Sequence, residues 1–219
     1  MEPKDYSQIL KLPAVPEALI QECFSIIKER KTSIFTEDKF LFPKLKNPDG
    51  RHVSGSRYVR FNLTAPAEKW IIDNIKPFNR SGIPSGVQIY WSPTNDFSYA
   101  AHVDGSRGRV ILYSLDPGGD NVETAWFQQK DKPLFRQYNK DFQGAVTDLS
   151  SMDKLHGLVV KKHEWTILET RVIHAVTNMI RPRITLAVGI SDEEVDDFCD
   201  LHKIDKTASK LWLDNNQVF

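Results

Sequence analysis

The sequence predicts a mainly β protein with flanking helices, its strands closed into a sandwich or barrel. Three observations predict it. From residue 86 the chain breaks into short β-branched and aromatic runs separated by Gly, Pro, Asn and Asp, the pattern of successive short strands. Before residue 86 and after residue 190, apolar residues recur at helical spacing. No internal repeat, low-complexity tract or linker divides the 219 residues, a length that suits one domain with a sizeable core.

Residues 1–85 read as a helical and irregular support. "VPEALIQECFSIIKER" (15–30) carries Leu19, Ile20, Cys23, Phe24, Ile26 and Ile27 as the stripe of a helix packed on one side. Pro16 near its start and Lys28 and Arg30 near its end fit the polarity of a helix. "NPDG" (47–50) is a turn, and Thr64 is the N-cap of a second helix through "APAEKWIIDNIKPF". Residues 86–190 form the β core, with strands in "GVQIYWSP", "RVILYSLDPGG", "ETAWFQQ", "LHGLVVKK", "EWTILET" and "RITLAVGI". Within it, the polar stretch 128–144 reads as an exposed loop or insertion, with a mobile lid as the alternative. Residues 191–219 open with Ser191 and Glu194 at capping-box spacing and continue as a closing helix and tail. The acidic run 192–197 is then a solvated helix face rather than a metal cluster.

Composition narrows the function. Apolar residues make 40% and charged residues 26% of the chain, and 29 Lys plus Arg balance 29 Asp plus Glu. No bulk charge attracts nucleic acid or an anionic membrane. No apolar run approaches the ~18 residues of a membrane span, and the N-terminus shows no signal-peptide pattern. Cys23 and Cys199 lack metal-ligand spacing and read as reduced, buried small hydrophobes. The expected setting is the cytoplasm.

The chemistry gathers around "YAAHVDGSRGR" (99–109), where His102 and Asp104 stand two residues apart. Of the other histidines, His174 is the best third ligand, because it stands in an apolar run where a lone imidazole needs a partner. His156 and His163 read as loop or surface residues, His52 lies in the irregular N-terminal part and His202 on the polar last helix. Two imidazoles and one carboxylate on a shared face suit ferrous iron with three open positions. Zinc with a bound water competes for the same set. Arg183, nine residues after His174, separates the two readings. Strand periodicity puts residues 183, 185 and 187 on one face, and an inward guanidinium needs an anion. Arg183 with the Thr185 hydroxyl is suited to the distal carboxylate of a dicarboxylic keto acid.

H-x-D, a distal His, and Arg nine residues later followed by x-Thr resemble the non-haem iron(II), 2-oxoglutarate-dependent dioxygenases. "VQIYWSP", "LYSLDPGG" and "HAVTN…RPRITLAVGI" extend the resemblance over residues 87–190, and it is closest to the prolyl and aspartyl/asparaginyl hydroxylase branch. The resemblance implies a double-stranded β-helix (jelly-roll, cupin-like) core and His102, Asp104 and His174 as the iron ligands. It implies Arg183 and Thr185 as the 2-oxoglutarate carboxylate site, and Tyr90 as a cosubstrate-binding tyrosine. Where relatives carry a further cosubstrate tyrosine, this chain has Ser114, with Tyr113 one position off. The implied reaction uses Fe(II), 2-oxoglutarate and O2 to hydroxylate a C–H bond of an amino-acid residue, peptidyl or free, or of a small metabolite. Succinate and carbon dioxide are released.

Other residues have a role only as alternatives to a structural one. Arg107 and Arg109 are either substrate or cosubstrate contacts or solvated turn charges, and Arg181 is a rim or surface group. Trp126 and Phe127 line a substrate pocket or belong to the core. Glu123 and Thr124 read as structural, and Asn178 as a turn residue. Two rival functions remain. One is a zinc or other divalent-metal hydrolase or isomerase with the same triad, which leaves Arg183 without a task. The other is a non-catalytic binding module on the same scaffold, which an intact ligand set opposes.

Overall fold

In the computed structural model, which describes residues 6–35, 45–46, 52–53, 59–77, 87–92, 101, 103–104, 109–130, 136–139, 142–144 and 152–204, antiparallel sheets dominate and three helices flank them. The elements run β1 (Ser7–Leu10), α1 (Glu17–Phe35), β2 (Leu45–Lys46), β3 (His52–Val53), β4 (Val59–Asn62), α2 (Ala65–Asn74), β5 (Val87–Ser92), β6 (Val103–Asp104), β7 (Arg109–Asp116) and β8 (Glu123–Gln129). They continue with β9 (Arg136–Asn139), β10 (Phe142–Gly144), β11 (Met152–Val159), β12 (Trp165–Glu169), β13 (His174–Thr177), β14 (Arg183–Ile190) and α3 (Asp192–His202). The large sheet has the order β1-β12-β7-β14-β5-β4, and a smaller one the order β11-β8-β13.

Alternation along the strands separates two cores. Ile89, Trp91, Ile111, Tyr113, Leu115, Ile167, Leu186 and Val188 cluster with Ile20, Cys23 and Ile27 of α1, Ile71 of α2, and Val195, Phe198 and Cys199 of α3. That is the helix side of the large sheet. The other parity, Val110, Leu112, Leu168 and Ala187, clusters with Trp126 of β8 and with Tyr6. The two sheets therefore face each other as a sandwich, with the helices outside the larger one.

The helix signals act as read. The Thr64 side chain accepts from the Ala67 N–H at 3.5 Å, and Glu194 accepts from the Ser191 N–H at 2.9 Å. α1 runs past Arg30 to Phe35, so its basic residues fall inside the helix rather than at its end. Lys76, just past α2, and Glu194 are both buried charges, and they pair at 2.9 Å. Lys76 Nζ also donates to the Gly189 carbonyl at 2.9 Å, so each charge keeps the partners its burial requires. Cys23 and Cys199 are free and buried, and burial pushes the Cys23 thiol up to about 12.

Two expectations need correction. The N-terminal third does more than support the core, because β1 pairs with β12 and β4 with β5, completing the large sheet. "SQIL" and "VRFN" are too short to show strand periodicity alone; pairing makes them strands. Nor is stretch 128–144 only an exposed loop. β8 extends to Gln129, and β9 and β10 form a hairpin whose second strand pairs with β6, Phe142 opposite Asp104. Polar composition hid it, since edge hairpins need few apolar residues. Among the described residues, no helix is long and apolar enough to cross a membrane.

Candidate active site between the sheets

His174 opens β13, directly opposite Trp126 of β8, which in turn lies opposite His156 of β11. Residues opposite each other share a face, and Trp126 packs on Val110, Leu112 and Ala187, so His174 belongs to the inner face. It is 7% exposed. Its Nδ1–H donates to the Val172 carbonyl at 2.9 Å. That bond fixes the tautomer and makes Nε2 the nitrogen with the lone pair, the usual preparation of a ligating imidazole.

Across from it, the large sheet presents a polar row. Thr185 of β14 lies opposite Tyr90 of β5 on one side and opposite Ser114 of β7 on the other. Three of the four candidates for the cosubstrate, far apart in sequence, thus form one rung across three strands. Ser114 and Thr185 are each 3% exposed; Tyr90 is half-buried. The Ser114 backbone is occupied on both sides, donating to the Glu164 carbonyl at 3.1 Å and accepting from His163 N–H at 2.7 Å. Its hydroxyl is buried with no hydrogen-bond partner among the described residues, a state that costs about 1 to 3 kcal/mol. Arg183, half-buried at the first position of β14 and opposite Ser92, has the parity of Thr185. A register shift on the β7 side, between Ile184 and Thr185, locally breaks the ladder next to it.

Strand parity also decides between Ser114 and its neighbour. Tyr113 is on the helix side, stacked on His163 with centroids 5.9 Å apart and packed on Trp165 at 4.8 Å. Burial raises its phenol pKa. Ser114, not Tyr113, joins the inner rung.

Of the other described candidates, only Trp126 lies on this face. Arg109 has the parity of Ile111 and Tyr113, is 3% exposed, and pairs with Glu169 at 3.8 Å. It is a buried strand residue on the helix-side parity, not a solvated turn charge. Trp126 is fully buried beside His174, and its Nε1–H donates to the Glu169 carbonyl at 2.9 Å. Arg181 is half-exposed and pairs with Asp116 at 3.3 Å. Glu123 accepts from Lys154 at 2.6 Å, and Asn178 donates to the Asn121 carbonyl at 3.3 Å from a left-handed turn position. His102 and Arg107 lie outside the described residues. Asp104 is described as backbone of β6. Among the described residues, no three His, Cys, Asp or Glu side chains gather as a metal cluster.

His156 is the residue misread from sequence. It lies within β11, half-buried, stacked on Trp126 at 5.6 Å and Tyr6 at 5.8 Å, with Nε2 3.4 Å from Ser7 Oγ. Burial, then the nearby Lys154 charge, lower its pKa against an opposing pull from Glu123. The strand-like "LHGLVV" around it was the available signal.

No protein-family model matches the chain, and no curated protein matches it. A solved structure titled "X-Ray structure of E. coli ycfD" aligns at 11% identity with a TM-score of 0.35, covering 62% of this chain and 34% of that one. A likeness of that strength carries no argument about family or activity.

Proposed function

We propose that this chain is an Fe(II)- and 2-oxoglutarate-dependent oxygenase that hydroxylates an unactivated C–H bond of an amino-acid residue, peptidyl or free, or of a small metabolite. The carrying observation is the inner rung of Tyr90, Thr185 and Ser114 with Arg183 on the same strand face. In this reading the sandwich is a double-stranded β-helix, the chain is a single oxygenase domain, and the setting is cytoplasmic. His102, Asp104 and His174 hold the metal, a donor set of two neutral nitrogens and one carboxylate that fits ferrous iron. Bound there, iron(II) supplies the site and the redox chemistry for dioxygen.

The protein's own part is orientation. Arg183 pairs with the distal carboxylate of the keto acid as a planar fork, and Thr185 and Ser114 give hydroxyl donors beside it. The unpartnered Ser114 hydroxyl then gains the bond it lacks. The Nδ1–H bond to Val172 keeps the His174 ring from turning. Trp126, fully buried behind His174, excludes water from that side.

Anaerobic protein given iron(II) and 2-oxoglutarate should develop a weak visible charge-transfer band. Its absence, with zinc-dependent hydrolysis instead, would overturn the reading in favour of the hydrolase. Arg183→Ala should raise the KM for 2-oxoglutarate by about 10- to 100-fold, measured as succinate release.

A further inference from the structure

The turn after β7 is built against the first residues of β14. Asp116 Oδ1 accepts from the Gly118 N–H at 2.9 Å and from Arg181 Nε–H at 3.3 Å. The Gly118 carbonyl accepts from the N–H groups of both Ile180 and Arg181, at 3.0 Å each. Gly118 has φ +86°, and a Cβ there would stand 2.9 Å from the Arg181 carbonyl oxygen and 3.1 Å from Arg183 Cβ. Backbone conformation and backbone approach both require glycine.

Val122 and Met179 pack beside the turn, but Ile180 is 69% exposed and the Arg181 side chain 49%, so the hydrogen bonds rather than these two side chains hold residues 180 and 181 to it. The ladder between β7 and β14 begins at the pair Ile184–Asp116 and shifts register immediately after it. Arg183 therefore has a strand partner on the β5 side, Ser92, while on the β7 side it rests on the turn.

We infer that the turn 116–119 is the seat that positions Arg183, with Gly118 a positioning residue that makes the site select dicarboxylic over monocarboxylic keto acids. The inference rests on the proposed role of Arg183. A displaced strand start moves the guanidinium relative to Thr185, and a fork that meets a carboxylate two-pronged tolerates little displacement.

The test compares 2-oxoglutarate with 2-oxobutyrate, which has the same keto-acid head and no distal carboxylate. Dissociation constants are measured by calorimetry on the full chain, anaerobically with iron(II). Gly118→Ala should weaken 2-oxoglutarate about tenfold and leave 2-oxobutyrate and iron affinity unchanged. Equal weakening of both keto acids, or of neither, overturns the seat while the oxygenase reading stands. Wild-type protein that binds neither keto acid overturns that reading and the seat with it. Should Gly118→Ala fail to fold, Arg181→Ala removes one bond of the seat from an exposed position. It should weaken 2-oxoglutarate alone, by about threefold, and unchanged binding there overturns the seat.

Discussion

The two faces of the six-stranded sheet are made by the same strands and differ in chemistry. The helix side carries Ile89, Ile111, Leu115, Leu186 and Val188, all almost fully buried under the helices. The inner side carries Val110, Leu112, Leu168 and Ala187, and among them Ser92, Ser114, Thr166 and Thr185, equally buried but small and hydroxylic. A sandwich interior built for stability alone would repeat the first pattern on both sides. The helix side is mostly apolar, whereas the inner side places buried hydroxyls among its apolar residues, a cost that the proposed cosubstrate would offset.

The largest expected effect comes from removing a proposed metal donor opposite the inner face. His174→Ala and Asp104→Ala should each abolish succinate formation from 2-oxoglutarate while far-ultraviolet circular dichroism shows the fold retained. Turnover that survives in His174→Ala protein defeats the ligand assignment. On the helix side the expected effect is the reverse. Ile111→Ala should cost about 2 to 5 kcal/mol in urea unfolding, with the KM for 2-oxoglutarate unchanged at temperatures where the variant is folded.

Ser114→Ala is subtler because the two properties should move in opposite directions. Removing a buried, unpartnered hydroxyl should leave the apo protein as stable or up to about 1 kcal/mol more stable, while 2-oxoglutarate binding weakens a few-fold. Loss of stability with unaltered binding would make Ser114 an ordinary core residue.

The smallest effect concerns His156, whose pKa is lowered from 6.5 in the folded protein. The unfolded chain then binds the proton more readily, so stability rises with pH through this window and is lost as pH falls below 6.5. Melting temperature followed against pH should show that slope, and His156→Phe, which can keep the stack on Trp126 and Tyr6, should flatten it. An unaltered slope assigns the acid sensitivity to other groups.

Much of this was legible in local sequence. Thr64 and the Ser191–Glu194 pair announced their helices because a cap is a property of four consecutive residues. The strand runs of β5, β7, β8, β12 and β14 were visible because apolar, β-branched residues cluster there between turn residues. β1 and β4 were not, since four residues hold too little pattern, and their strand character comes from β12 and β5. His156 was misread for a related reason. Its neighbours in sequence, Leu155 and Gly157, say nothing of Tyr6 and Trp126, which come from distant strands and surround it.

By itself the sequence determined which residues are chemically capable: the H-x-D pair, a histidine in an apolar run, and an arginine followed by x-Thr. It also determined the parity that puts Arg183 and Thr185 on one face, because a strand alternates whatever it packs against. Only the tertiary structure decided that Ser114 rather than Tyr113 joins Thr185, that Arg109 has the helix-side parity, and that the Gly118 turn lies under Arg183. Register between strands distant in the chain is set by the summed packing of two cores, and no local stretch of residues contains that sum.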